Sequence, residues 1–248
     1  MEKKKMDKDA LLELIVVIML GITALLTAWA TWIGSLHGGN QATNYTVSNN
    51  QASEGNSEYN AGVQQMNQDM VLWNDISDMQ MTIMFAQEAE DQATVEKTSY
   101  QLFYKLDENL SESMANHIGW NFNLSQEEYD DPTATVLNWM NKEESMSSPF
   151  FDQEFVSDYF VTANELLAES QTTLDQGRED NANGDAFGLV TVIYSVVLFL
   201  LGISGSFKSI KNKYAVLAIS ILAFTGATIY MCTLPLPTGF SMAGFFGG

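Results

Sequence analysis

The sequence predicts an all-α integral membrane protein: three transmembrane helices, with an extracytoplasmic helical-bundle domain inserted between helices 1 and 2. Two observations carry this reading. The 248-residue chain is free of charge at 14–36, at 186–207 and from 214 onward. A helix rising about 1.5 Å per residue crosses a hydrocarbon core of about 30 Å with roughly 20 such residues. The second observation is that no stretch alternates cleanly at period two. In hydrocarbon each backbone N–H and C=O must be paired, so the apolar runs read as helices and not as barrel strands.

Each element has its own warrant. Residues 1–12 hold Lys3, Lys4, Lys5 and Lys8 and form a cytoplasmic N-terminus. The first span, 13–36, exceeds the usual core of a signal peptide, and Asp7, Asp9 and Glu13 interrupt the basic region, so it is expected to stay as an anchor. Spans 2 and 3 cover 186–207 and 214–234, joined by a basic turn, 208–213, with Lys208, Lys211 and Lys213. Positive charge favours the cytoplasmic side. Segment 37–185 and the uncharged tail 235–248 are then extracytoplasmic, which makes the chain a multi-pass protein of the cell membrane.

Segment 37–185 carries 27 of the 31 acidic residues against Lys97, Lys105, Lys142 and Arg178. Residues 37–58 are polar, either a loop or an extension of the first helix. Tyr59, Val63, Met66, Met70 and Trp73 then recur at the spacing of one buried helix face, continuing through Ile76, Met79, Ile83 and Met84. Asp131-Pro132 and Ser148-Pro149 each place a capping side chain before proline at a first helical position. Val156, Phe160, Ala163, Leu167, Ser170 and Leu174 form a heptad seam. Two long helices are expected, about 57–96 and 149–181, with a break at Asn183-Gly184 and shorter helices between. The single cysteine, Cys232, lies in span 3. A disulfide-free outer domain suits a prokaryotic surface.

At "NQASEGNSEYNAG", Asn50 to Gly62, with Gln51-Ala52-Ser53-Glu54 followed by Tyr59 and Ala61, the chain resembles an uncharacterised family of prokaryotic three-span membrane proteins. The resemblance implies an N-terminal anchor, a helical insert and a C-terminal helix pair, and no activity.

Candidate sites follow from residue type and spacing. Thr23, Thr27, Thr31 and Ser35 recur every fourth residue in span 1, on the side of Glu13. They line either a polar path, as pore-lining candidates, or a seam where helices pack. Gly188, Thr191, Ser195 and Gly202 of span 2 and Ser220, Ala223 and Ala227 of span 3 are small residues suited to helix packing. That many small faces predict a homo-oligomer. Glu127, Glu128, Asp130 and Asp131 form the densest acidic cluster, a weak candidate for a divalent metal. The segment Glu179 to Asp185 has oxygen ligands at alternate positions, but Val190 stands where a calcium loop needs its bidentate Glu. The methionines at helical spacing read as core packing.

His37 and His117 are the two histidines, and no GxSxG, HExxH, Walker or Rossmann pattern occurs, so no enzyme and no cofactor are expected. A net charge of -20 argues against nucleic-acid binding. The expected partners are the lipid bilayer, further copies of the chain, and cations. The favoured function is a homo-oligomeric cation channel with an acidic outer vestibule; the alternative is a membrane-anchored surface binding or scaffold protein.

Overall fold

The computed structural model describes residues 8–241, which are mostly helical, with no strand among them. Lys3, Lys4, Lys5 and the end of the tail, 242–248, lie outside the described residues. In chain order the helices are α1 (Lys8–Glu88), α2 (Gln92–Asn109), α3 (Glu112–His117), α4 (Gln126–Asp130) and α5 (Pro132–Met140). Two 3-10 turns follow, Glu143–Met146 and Pro149–Phe151, then α6 (Gln153–Asp158), α7 (Val161–Ser204) and α8 (Ile210–Thr233). Helices α1, α7 and α8 are each long and apolar enough to cross a membrane. The chain folds as two units: Met1–Asn50 with Glu169–Gly248, called here the span unit, and Gln51–Ala168, the acidic unit.

In the span unit, the interior is built from Leu12, Val16, Ala30 and Ile33 of α1, from Phe187, Val190, Tyr194, Val197 and Leu201 of α7, and from Leu217 and Ala227 of α8. Polar residues 37–50 do not form a loop; they continue α1 without interruption. Gly38 and Gly39 disfavour helix by about 1 kcal/mol each, so the partner helix must hold this stretch in place. It does so through Ser48 and Ser170, whose hydroxyls each donate to the other's backbone carbonyl, at 2.9 and 2.8 Å. Asn44 donates to Asp180 at 3.1 Å. The expected break at Asn183-Gly184 is absent: α7 runs on through Gly184, which packs beside Gly34 and His37 of α1. Segment 179–185 is accordingly helix and not a cation-binding loop.

The acidic unit has its own core. Trp73, Ile76 and Ile83 of α1 pack with Leu102, Phe103 and Leu106 of α2, Met114 of α3, Val136 and Trp139 of α5, and Phe155 of α6. Helix α1 ends at Glu88, short of the expected 96, in a turn where Glu90 takes a left-handed φ of 57°. Asp91 then caps α2 by accepting from the Thr94 backbone at 3.2 Å. Asp131-Pro132 opens α5 as read from sequence. Ser148-Pro149 opens just a 3-10 turn, and the next cap is Asp152, on α6.

Glycine marks the closest approaches to α1. A methyl added at Gly62 would stand 2.3 Å from the Tyr159 carbonyl oxygen, a backbone atom that cannot swing aside, whereas one added at Gly39 would meet nothing within 4 Å. Gly62→Ala should therefore lose about 1–3 kcal/mol through overpacking. Gly39→Ala should gain about 1 kcal/mol from helix propensity. Thermal unfolding of the detergent-solubilised chain, followed by circular dichroism, should move in opposite directions for the two variants.

Candidate functional site

A threonine stripe at spacing four turns by about 40° per step on a helix of 3.6 residues per turn, whereas the buried seam of α1 advances by sevens, through Val16, Thr23, Ala30 and His37. The two lines cross and part. Thr23 is buried, Thr27 half-buried, and Thr31 and Ser35 exposed, so the four hydroxyls share no single face. Thr23, Thr27 and Thr31 each donate to the carbonyl four residues earlier, at 2.7, 2.7 and 2.8 Å. Glu13 is exposed and lies 3.5 Å from Lys213, whose ammonium also donates to Asp9 at 2.9 Å.

The small residues also divide. Ser220 and Ala227 are buried and Ala223 half-buried within the span unit, as packing residues. On α7 the packed face is the bulky one, Phe187, Val190, Tyr194, Val197 and Leu201. Gly188, Ser195 and Gly202 are exposed and Thr191 half-buried, and a methyl at either glycine would touch nothing within 4 Å. Among the described residues, nothing packs against Gly188 or Gly202.

Glu127, Glu128, Asp130 and Asp131 are exposed and serve local helix structure. Glu128 completes a capping box with Ser125, Asp131 caps α5, and Asp130 accepts from Gln126 at 3.0 Å. The Ser125 backbone bond, then its hydroxyl, holds the Glu128 carboxyl below the usual range. Among the described residues no group of three or more His, Cys, Asp or Glu side chains is placed to hold a metal.

The structure also assembles a polar node that the sequence did not single out. His37, 2% exposed, sits where the apolar part of α1 ends. Its Nδ1 lies 2.8 Å from Asp180 Oδ1 on α7, and its Nε2 lies 3.2 Å from the Pro235 carbonyl oxygen just beyond α8. Phe187 stacks on the ring. The Asn44 amide donates to the other Asp180 oxygen, so Asn44, which sits in an Asn-x-Thr pattern, is engaged inside the unit. Both partners of the imidazole are acceptors. A ring nitrogen that carries hydrogen can donate to either of them. Beside the node lies a cleft of about 310 Å³ that Glu179, Asn183 and Thr238 help to line. One signal in the sequence pointed here: a lone histidine at the end of one uncharged run and an aspartate six residues before another.

The tail returns to the same end of the span unit. Phe240 meets Trp29 and Trp32 edge-on, with ring centroids 6.1 and 5.7 Å apart.

The acidic unit has a comparable node. Asp69, 3% exposed, accepts from Gln65 at 3.0 Å, Tyr159 at 2.7 Å and Ser111 at 3.4 Å. Burial first, then the hydrogen bond to Asp69 and its charge, push the Tyr159 phenol well above its ordinary value.

No protein-family model, curated protein or solved structure matches the chain.

Two outcomes follow from the nodes. For Asp180→Asn, His37→Gln and the double variant, unfolding in detergent should give a coupling energy of about 0.5–3 kcal/mol; additive losses would show the two side chains to be independent. For Tyr159, the folded state holds the proton more tightly than the unfolded one. Its stabilising contribution is complete below the ordinary tyrosine pKa of 10.0 and declines as pH rises beyond it toward the higher folded value. Stability measured from neutral pH to above pH 10.0 should fall less steeply in Tyr159→Phe than in the parent.

Proposed function

We propose that the chain is a membrane-anchored binding or scaffold protein, self-associating through its spans, with the acidic unit presented on the extracytoplasmic side. The observation that carries this is the separation of roles between the units. The acidic unit closes its own aromatic core, and nearly all its charge is left on the surface: of 22 acidic residues in 51–168, set against Lys97, Lys105 and Lys142, just Asp69 is buried. The span unit supplies the apolar helices. Orientation rests on the lysines at 208, 211 and 213, which favour the cytoplasm. Self-association rests on Gly188, Ser195 and Gly202, small residues that are exposed among the described residues and that suit close helix contact in lipid.

The channel reading ranks second. Thr27, Thr31 and Ser35 remain partly or fully on the outside of the span unit, where copies gathered round an axis would bring them to that axis. Against it, Thr23 is inside the unit, and the Thr23, Thr27 and Thr31 hydroxyl hydrogens are taken by backbone carbonyls.

Three measurements test the proposal. With Cys232→Ser removing the native thiol, Ser195→Cys should form disulfide-linked dimers in membranes; monomer alone would remove self-association. Phe151→Cys in the same background places a thiol on an exposed site, and an impermeant maleimide should label it on intact cells. Labelling only after lysis would reverse the orientation. The purified assembly in planar bilayers should carry no cation current; a reproducible current abolished by Thr31→Leu would favour the channel.

A further inference from the structure

Met66, Met70, Met79, Met81 and Met84 recur along α1 at spacings that predict core packing, yet several of them are not in the core. Met81 and Met84 are 47% and 43% exposed, as is Met146 at 47%, on a unit whose core is filled mainly by aromatic and aliphatic side chains. An apolar side chain left half in water gains only part of its burial energy, which leaves the polarisable thioether as the property to explain.

Three methionines border one space. Met84 of α1, Met140 at the end of α5 and Met146 at the end of the Glu143–Met146 turn line a cleft of about 330 Å³, with Gln87, Leu137 and Asn141 completing its wall. The wall is anchored from below. Gln80, buried one turn before Met84, donates to the Ser145 carbonyl at 2.8 Å and so ties the turn bearing Met146 to α1. Leu137 and Met140 pack on the same core as Trp139 and Val136.

The chemistry of that wall is selective. It holds no carboxylate, imidazole or thiol. Calcium and magnesium require oxygen-rich sets with carboxylates, and zinc requires imidazole, thiolate or carboxylate, so none of them finds its ligands there. Thioethers suit soft cuprous ion. They are neutral at all pH values and bind without releasing a proton. The acidic surface around the cleft concentrates cations by long-range attraction without competing for the site.

We propose that this cleft binds a soft monovalent cation, Cu(I) or its redox-inert counterpart Ag(I), through the sulfurs of Met84, Met140 and Met146. The site lies wholly within the acidic unit and is independent of the function proposed above.

Ag(I) titration of the full-length chain in detergent, by calorimetry, tests this, together with competition for Cu(I) against a chromophoric chelator under anaerobic reducing conditions. The parent should take up one ion per chain at this cleft. Met84→Leu and Met146→Leu keep side-chain volume at exposed positions and should each weaken binding by about tenfold or more. The triple variant with Met140→Leu should abolish it, while Met66→Leu with Met70→Leu, outside the cleft, should bind as the parent does. Absence of one-to-one uptake by the parent overturns the assignment. So does a loss smaller than about tenfold in both single variants, which retain the Gln80 anchor and so report on the sulfurs directly.

Discussion

Helices α1 and α7 approach closely along the polar stretch of α1, and the helical order of that stretch depends on it. The buried positions of α1 return every seventh residue: Val16, Thr23, Ala30 and His37 in the span unit, then Gly55, Gly62, Asp69, Ile76 and Ile83 in the acidic unit. Within each unit a seven-residue repeat keeps one stripe of α1 facing inward, as in coiled coils. What fills the stripe changes with its surroundings. In the span unit it holds Val16, Thr23, Ala30 and His37; in the acidic unit Gly55, Gly62 and Asp69 give way to Ile76 and Ile83.

Where the stripe is polar, glycines on one helix receive bulk from the other. Gly177 of α7 lies under the Tyr45 ring, and a methyl there would come within 2.6 Å of it; Gly55 of α1 similarly faces Leu167. This interlock supplies packing to a stretch too poor in apolar side chains to pack otherwise. It explains how helix persists through Gly38, Gly39 and the Asn-rich residues after them, where intrinsic propensity opposes it. Tertiary contact, including the Ser48 and Ser170 pair, overrides local preference.

Buried polar groups occur where elements must be held in register. His37 with Asp180 and the Pro235 carbonyl links α1, α7 and the segment after α8; Asp69 links α1 to the cap of α3 and to Tyr159. A buried carboxylate is tolerated only when its lone pairs are met; Asp69 is met from α1, the α3 cap and Tyr159, and Asp180 by two residues of α1. Such nodes fix one arrangement because a slipped register would strand them. The faces turned outward are different in kind: small residues on α7, methionines and carboxylates on the acidic unit. They are the surfaces available for assembly and ligands.

The three apolar helices and the all-α class were legible in the sequence because charge-free runs of that length and helical periodicity leave little choice. So were the Asp131 cap and the seam through Ala163, Leu167 and Ser170, since they depend on local spacing. The fate of 37–58 was not legible, because its helix is stabilised by residues more than a hundred positions away. Nor was the division of the threonine stripe, whose four members look alike until the partner helix decides which one is buried. His37 and Asp180 are 143 residues apart, and Met84 and Met146 are brought to one cleft by a bond from Gln80. By itself the sequence determined which segments are apolar helices and where charge accumulates, because those follow from composition and short-range period. The tertiary structure alone decided which faces meet and which polar groups pair, because close approach depends on the shape of side chains that are distant along the chain.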